Sequence, residues 1–314
     1  MPLVGLGTLH ATDDETTAAV EAAIDMGYRH IDTAYLYFNE AGVGRGIRNK
    51  IAQGVIKRED IFLTTKLPHT HLTPERVHVA LEKSLARLDI GYIDLYLMHS
   101  PLGFLPTEDE TNLYPTDAQG NHLIHDVDHK AVWREMEKAV ESGKVRSIGV
   151  SNFNRRQIQF ILDNSTIKPA NLQIECHIYY QQKELVNYCH SKGISVSGYG
   201  PLGNPGLMAK LKAAGKQVTN VLDEPTLQPL MKKYNKSAAQ ILLRWEIQRD
   251  IIVIPKSTNP KRMQENLDIF DFKLTAEEMD NIAKLDQKLR VYALPFSKNV
   301  LESKDFPWGP NDPY

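Results

Sequence analysis

The sequence predicts an α/β fold, a (β/α)₈ barrel (TIM barrel) in which eight parallel strands alternate with helices. Three observations support it: short apolar runs alternate with amphipathic stretches along the chain, the runs number eight, and no glycine- and serine-rich linker divides residues 1–314. Eight parallel strands are the usual number for a closed barrel of this kind. We therefore expect one domain, 1–314, with long loops on the carboxyl-terminal face of the barrel.

The predicted strands are apolar or β-branched runs, and the predicted helices have apolar residues at every third or fourth position, as in Pro74–Leu88. Polar residues ahead of glutamates mark helix starts at Asp13 or Asp14 and at Thr275, and Thr73 precedes a proline at another. The eight predicted strands are Leu3–Leu6, Tyr28–Thr33, Ile61–Leu67, Ile93–Met98, Ser147–Val150, Leu172–Cys176, Ile194–Ser197 and Ile251–Ile254.

Three long segments interrupt this alternation: Leu102–Asp128, Gly203–Asp223 and a tail from Val291 to Tyr314. The first two follow the fourth and seventh predicted strands, which places them on the face where barrel enzymes build their sites. The tail is rich in aromatic residues, and either an ordered segment over an apolar pocket or a loosely packed terminus is consistent with it. Its aromatic residues are Tyr292, Phe296, Phe306, Trp308 and Tyr314.

Composition and charge narrow the function. A formal net charge of −2 gives no general attraction to nucleic acid or to an acidic membrane, and no apolar run approaches the ~20 residues of a membrane span. The two cysteines have no metal-binding or disulfide-framework spacing, and the amino terminus does not resemble a signal peptide. We expect a cytoplasmic protein that binds neither nucleic acid nor membrane; secretion remains an alternative if the chain is a mature or trimmed form.

Four chemically active residues stand at or near the ends of predicted strands. Asp32, Lys66 and His99 close strands two, three and four, and Tyr37 follows strand two by a few residues. In a barrel all four point to one face. A single lysine or aspartate at a strand end is usually solvated or salt-bridged, so the significance lies in the set of four at equivalent positions.

This set is suited to protonating an oxygen atom that gains negative charge. A free phenol has a pKa of about 10, so Tyr37 carries its proton at neutral pH. We expect the ammonium of Lys66 to lower that pKa and Asp32 to keep the lysine charged and oriented. His99 would then hydrogen-bond the substrate oxygen and fix its approach.

A local anion site is predicted where strand eight runs into a helix. Asn259-Pro260 begins that helix, and Lys256, Ser257 and Arg262 converge on its amino terminus, an arrangement that suits a phosphate monoester. The alternative is an ordinary basic helix start without a ligand.

Other motifs do not carry a function. The segment Gly198–Gly203 matches G-x-G-x-x-G, but it lies in the seventh repeat unit and contains a proline, so we reject a Rossmann site. A polar insertion contains a cluster with tolerable metal-ligand spacing, but a solvated loop explains it better than a zinc site: His122, His125, Asp126, Asp128 and His129. The pair His69 and His71 is interpreted in the same way. We expect no metal.

The chain resembles the aldo-keto reductase superfamily over essentially its whole length. The resemblance rests on GYRHIDTAYLYFNEAGVG, LTTKL, DLYLMHSP, GVSNFN, QIECH, GYGPLG and VIPKSTNPKRMQEN, in this order. It implies a (β/α)₈ barrel and the cofactor NADPH/NADP⁺. It also implies that Tyr37 is the general acid, assisted by Asp32 and Lys66, with His99 orienting the carbonyl.

The resemblance implies an extended cofactor site as well. The nicotinamide carboxamide would lie on Ser151, Asn152 and Gln173, its ring on Tyr199, and the 2′-phosphate on Lys256, Ser257 and Arg262. Family members often close a loop over the pyrophosphate with a Lys–Asp pair, and His10 and Gly206 stand at those positions here, so we expect quicker cofactor release. The implied cofactor contacts are Gly7, Thr8, Asp32, Ser151, Asn152, Gln173, Tyr199, Gly200, Leu202, Asn204, Lys256, Ser257, Thr258, Arg262, Glu265 and Asn266.

The substrate pocket departs from the family pattern. Leu9 and Ser100 stand where many aldehyde-selective members carry tryptophan, which leaves more room beside Tyr37 and His99. We therefore expect bulky apolar ketones or aldehydes such as steroids, a pattern similar to insect members that reduce 3-dehydroecdysteroids. A non-catalytic NADPH-binding barrel remains the alternative, and family analogy indicates a monomer.

Overall fold

The computed structural model describes residues 1–215, 218–292 and 296–309. Eight parallel strands form one sheet with neighbours in chain order, apart from a two-stranded hairpin inserted after the fourth, and this confirms the predicted barrel. The barrel strands are β1 (Leu6–Gly7), β2 (His30–Asp32), β3 (Phe62–Leu67), β4 (Ile93–Met98), β7 (Val145–Ser151), β8 (Asn171–Glu175), β9 (Ser195–Tyr199) and β10 (Ile251–Val253); the hairpin strands are β5 (Gly103–Phe104) and β6 (Ile124–His125).

The barrel closes between its first and last strands through single parallel bridges. Val4 pairs with Val253, and Gly7 pairs with Lys256 just beyond β10. The Gly5 amide donates to the Val253 carbonyl over 2.8 Å. Gly7 lies so close to this seam that a Cβ atom there would be 2.8 Å from the Ile254 carbonyl oxygen, which only glycine avoids.

Helices surround the sheet and cover its apolar outer face. The predicted helix Pro74–Leu88 is found with those bounds, and Thr275 caps its helix as predicted. The helix start predicted at Asp13 or Asp14 is also found, since the first helix begins at Asp13, and the Thr12 side chain caps it by accepting from the Glu15 amide. The helices are α1 (Asp13–Asp25), α2 (Glu40–Ala52), α3 (Pro74–Leu88), α4 (His129–Glu141), α5 (Arg155–Asn164), α6 (Lys183–Ser191), α7 (Pro205–Ala213), α8 (Gln228–Tyr234), α9 (Ala238–Ile247), α10 (Pro260–Leu267), α11 (Ala276–Ala283) and α12 (Lys298–Leu301).

All eight predicted strands exist, with shifted ends. The first begins later than predicted because Val4 makes only an isolated bridge. The seventh continues to Tyr199, beyond the predicted Ser197, because Tyr199 still pairs with Glu175 of the neighbouring strand. Ser151 at the end of β7 and Tyr199 at the end of β9, both expected in the site, therefore lie on strands rather than in loops.

The segment Leu102–Asp128 and the tail pack on each other. The hairpin of β5 and β6 lies in that segment, and its Phe104 is fully buried against Phe296 and Val300 of the tail. The Asp305 carboxylate accepts a 3.0 Å hydrogen bond from the Val127 amide. The tail residues from 296 to 309 are thus ordered over the barrel face, whereas Tyr314 lies outside the described residues.

No helix in the described part of the chain is long and apolar enough to span a membrane.

Candidate active site

A buried ion pair lies at the carboxyl ends of β2 and β3. The Lys66 ammonium donates to Asp32 Oδ1 over 2.6 Å and to the Thr33 carbonyl over 2.8 Å. Gln173, on β8, donates to the second carboxylate oxygen of Asp32 over 2.7 Å. Lys66 is 0% exposed and Asp32 2%, so these hydrogen bonds replace the water that either charge would otherwise require.

Tyr37 is brought to this pair by the chain that follows β2. A short 3₁₀ turn, Tyr35–Tyr37, lifts the side chain over the strand end, and the Lys66 ammonium lies 3.5 Å from the Tyr37 hydroxyl. An ammonium has three protons, and here each of the three has a partner: Asp32, Thr33 and Tyr37. The structure therefore brings the predicted Asp32, Lys66 and Tyr37 into one hydrogen-bonded set.

The pKa values of this set follow burial first. The pKa of Tyr37 lies well above 10, chiefly because burial disfavours the phenolate and secondarily because of the Asp32 charge. The Lys66 ammonium was expected to lower this pKa, and burial outweighs that effect. Burial lowers the pKa of Lys66, and Asp32 opposes that change. Tyr37 accordingly keeps its proton at neutral pH.

His99 lies on the other side of Tyr37, just beyond the end of β4. The two rings meet edge to face with centroids 5.8 Å apart, and the ring of His69 packs on His99 at 5.4 Å. Burial holds the pKa of His99 well below 6.5, and the Lys66 charge and His69 act in the same direction. His99 is therefore a neutral imidazole, which can both donate and accept a hydrogen bond.

A polar ledge extends from His99 along β7 to β9. Asn152 is held in the left-handed region at φ +63°, and its amide donates to the His99 carbonyl over 2.9 Å. The Tyr199 hydroxyl donates to Asn152 Oδ1 over 2.8 Å. Ser151 is buried beside them. The predicted nicotinamide residues are thus adjacent, although the amide nitrogen of Gln173 serves Asp32 instead of facing a ligand.

A second charged region follows β10, at the start of α10. The Asn259 side chain caps that helix by accepting from the Arg262 amide, and Ser257 Oγ accepts from the Asn259 amide. Lys256 and Arg262 are exposed, and neither forms an ion pair within the described residues. Of the remaining predicted contacts here, Thr258 is exposed, Glu265 is half-buried and Asn266 is buried.

Glycine and small polar residues connect the two regions. Gly200 has φ +61°, and Leu202 and Asn204 follow it in the loop between β9 and α7. On the opposite side, the Thr8 hydroxyl donates to the Asp32 carbonyl, next to the seam at Gly7. The G-x-G-x-x-G match lies on this barrel strand and loop, in agreement with its rejection as a Rossmann motif.

These residues fit a phosphorylated dinucleotide such as NADPH. The amide, hydroxyl and aromatic groups of Ser151, Asn152 and Tyr199 suit a nicotinamide. A capped helix amino terminus with two exposed cations, neither in a salt bridge within the described residues, suits a phosphate monoester. Gly7 and Gly200 lie between these two regions, and at each of them the chain itself fills the space that a Cβ atom would need.

The rest of the pocket wall includes the predicted Leu9 and Ser100 together with side chains that the sequence analysis did not place in the site. Leu9 is half-buried, and Ser100 is buried with its hydroxyl accepting from the Leu102 amide over 3.2 Å. His69, dismissed on sequence, hydrogen-bonds the Tyr114 hydroxyl over 2.8 Å. Other aromatic and imidazole rings continue this wall from the hairpin segment and the tail: Phe104, Tyr114, His122 and Phe296.

The polar loop considered as a metal site has separate structural roles. His122 hydrogen-bonds Ser297, Asp128 caps α4, and His129 hydrogen-bonds the Pro101 carbonyl. Among the described residues, no group of three or more histidine, cysteine, aspartate or glutamate side chains is arranged to hold a metal ion.

The chain is similar to known proteins over its whole length. Residues 3–287 match the aldo/keto reductase family. Aldo-keto reductase family 1 member A1 of Gallus gallus is 44% identical over 320 residues, covering 100% of this chain and 95% of that protein. The aldo-keto reductase family 1 member C23-like protein of Equus caballus is 44% identical over 299 residues, covering 94% and 91%.

Solved structures agree. The aldose reductase of Schistosoma japonicum superimposes with a TM-score of 0.88 at 41% identity, covering 98% of this chain and 95% of that one. Sequence and fold together make this chain a member of the aldo/keto reductase family, oxidoreductases that act on carbonyl groups.

Proposed function

We propose that this protein reduces aldehydes and ketones to alcohols with NADPH, and that Tyr37 is the general acid. The observation that carries the proposal is the buried Lys66 ammonium, which contacts Asp32 and the Tyr37 hydroxyl at once. A fully buried charged pair beneath a partly exposed phenol is unusual as a purely structural feature. It is the arrangement that proton transfer to a substrate oxygen needs.

NADPH, when bound, supplies a hydride to the carbonyl carbon. Ser151, Asn152 and Gln173 would hold its carboxamide, and Tyr199 would support its ring. The remaining contacts that we propose for the cofactor are Gly7, Thr8, Asp32, Gly200, Leu202, Asn204, Lys256, Ser257, Thr258, Arg262, Glu265 and Asn266.

The residues of this chain handle the proton. Tyr37 donates its hydroxyl proton to the substrate oxygen as negative charge develops there, and the neutral imidazole of His99 hydrogen-bonds the same oxygen. The high pKa of Tyr37 is compatible with this role, because an alkoxide is a much stronger base than a phenolate. Lys66 then stabilises the phenolate that remains, and Asp32 holds the ammonium in place.

The test is NADPH oxidation, followed by the cofactor's absorbance, with a reactive aldehyde as substrate. We expect turnover by the wild-type protein and a loss of about 10²–10⁴-fold in kcat for Tyr37→Phe, with NADPH binding retained. Tyr35→Phe is the matched control, because Tyr35 lies in the same 3₁₀ turn and its hydroxyl has no hydrogen-bond partner among the described residues.

A wild-type protein that binds NADPH but turns over no carbonyl would favour the alternative, a non-catalytic NADPH-binding barrel. Equal activity of Tyr37→Phe and Tyr35→Phe would remove Tyr37 from the mechanism.

We further propose bulky apolar carbonyl compounds as substrates, with steroids such as 3-dehydroecdysteroids as the leading class. Leu9 and Ser100 leave the pocket without an indole at either position. Steady-state kinetics should give a higher kcat/KM for a steroid ketone than for an aldose sugar. A clear preference for the sugar would contradict this substrate class.

A further inference from the structure

Tyr292, in the tail, packs directly on Tyr199, the residue proposed to support the nicotinamide ring. Its ring meets Tyr199 edge to face, with centroids 5.3 Å apart and planes at 89°. It also covers Gly200 so closely that a Cβ atom there would lie 2.5 Å from the Tyr292 ring. Gly200 already requires glycine for its positive φ, and the ring adds a second steric reason.

The hydroxyl end of Tyr292 reaches the next part of the cofactor region. There the side chain of Asn204 lowers the pKa of Tyr292, against the larger effect of burial, which raises it; the backbone of Asn204 is left-handed at φ +46°. Asn204 also caps α7 by accepting from the Leu207 amide over 3.2 Å. The side chain of Tyr292 therefore contacts both Tyr199 and the Gly200–Asn204 loop, which is expected to follow the pyrophosphate.

The backbone of Tyr292 is fixed from below by a buried carboxylate. Glu175, at the end of β8, is 0% exposed and accepts from the Val291 amide over 2.6 Å and from the Tyr292 amide over 3.1 Å. His177 donates to or shares a proton with the same carboxylate over 3.0 Å. The tail therefore enters the cofactor region at a position set by the barrel itself.

We propose that Tyr292 is a positioning residue that holds Tyr199 and the Gly200–Asn204 loop together and so slows the release of NADPH. This inference rests on the proposed cofactor site. It opposes the expectation of quick release drawn from His10 and Gly206, because a different part of the chain spans the same cofactor region.

The test is the NADPH dissociation rate, measured by stopped-flow recovery of protein fluorescence. For Tyr292→Ala, which removes both ring and hydroxyl, we expect dissociation about 10-fold faster than in the wild type. For Tyr292→Phe, which keeps the ring and loses only the hydroxyl group on the Asn204 side, we expect about 3-fold. Tyr188→Phe, which loses a single hydrogen bond to Gln159 on the barrel exterior, should leave the rate unchanged.

Steady-state kinetics give a second readout, in which the KM for NADPH should rise in Tyr292→Ala with no fall in kcat. A merely structural role for Tyr292 would lower the melting temperature and leave the dissociation rate as it is, and that result would overturn the proposal. If Tyr292→Ala does not fold, wild-type dissociation from Tyr292→Phe overturns it instead.

The two proposals fail in different ways. A wild-type protein that does not bind NADPH at all removes both the cofactor site and this inference. A wild-type protein that binds and oxidises NADPH, with Tyr292→Ala releasing it at an unchanged rate, removes this inference alone.

Discussion

The charged residues at the ends of β2 and β3 differ in burial and pairing from those at the start of α10. Lys66 and Asp32 are buried and use their hydrogen-bonding capacity within the protein. Lys256 and Arg262 are exposed and form no ion pair within the described residues. On the function proposed above, the groups that act on the reacting atom are fixed before the ligand arrives, whereas the groups that attract the phosphate have no ion-pair partner in the described part of the chain to give up when it binds.

The two arrangements also have different energetic consequences. A buried charge that loses its partner is left without water or a counter-charge, which typically destabilises a protein by about 3–5 kcal/mol. An exposed cation that is removed costs the fold little, because it had only water around it. Substitutions in the two regions should therefore separate stability from binding.

The largest effect is expected for Lys66→Met, which removes the ammonium and leaves Asp32 buried. Unfolding by denaturant should show a loss of about 3–5 kcal/mol, and kcat should fall by about 10²-fold or more because the Tyr37 phenolate loses its stabilising charge. Lys144→Met is the control, since Lys144 and its partner Glu82 are both exposed, and its loss should cost about 1 kcal/mol or less. Equal losses for the two variants would contradict the contrast.

An intermediate effect is expected for Arg262→Ala. Because charge-assisted hydrogen bonds to phosphate contribute about 1.5–3 kcal/mol, the Kd for NADPH should rise about 10–100-fold, while that for NADH and the free energy of unfolding stay nearly constant. Titration of both cofactors measures this, with the exposed Lys130 on α4 replaced by alanine as control. A parallel loss of NADH binding would mean that Arg262 does not read the 2′-phosphate.

The smallest effect is the change of folding stability with pH, and it comes from buried histidines. Burial lowers the pKa of His30 and of His69 to about 4, below the 6.5 of an unfolded histidine. The unfolded chain therefore binds more protons between these values, so stability is full above pH 6.5 and declines as pH falls towards 4.

Denaturant unfolding at pH 7 and pH 5 should differ by on the order of 1 kcal/mol for each such histidine. His69→Phe should reduce the difference, and an unchanged difference would show that His69 is not the group that titrates.

The barrel could be predicted from the sequence because each strand and helix is recognised by the spacing of apolar residues within one short segment, as in Pro74–Leu88. The barrel then explains why Asp32, Lys66 and His99 could be grouped from sequence, since parallel strand ends share a face. The hairpin of Gly103–Phe104 and Ile124–His125 was missed because strands of two residues carry no periodicity.

The parts that escaped prediction depend on contacts between distant segments. His69 acquires its place through Tyr114, 45 residues away, and Glu175 meets the Tyr292 amide 117 residues further along the chain. The direction of the Tyr37 pKa was misjudged for a related reason, because sequence identifies the neighbouring charge but not the depth of burial that outweighs it.

Gly7 carries no charge, yet it helps to set the position of a charged residue. It pairs with Lys256 across the seam that joins the first and last barrel strands, and there is no room there for even a methyl group beside the Ile254 carbonyl. Any larger side chain would spread the two edges of the barrel and move the lysine with them. If Lys256 binds the 2′-phosphate as proposed, the choice of coenzyme depends in part on a glycine that carries no charge itself.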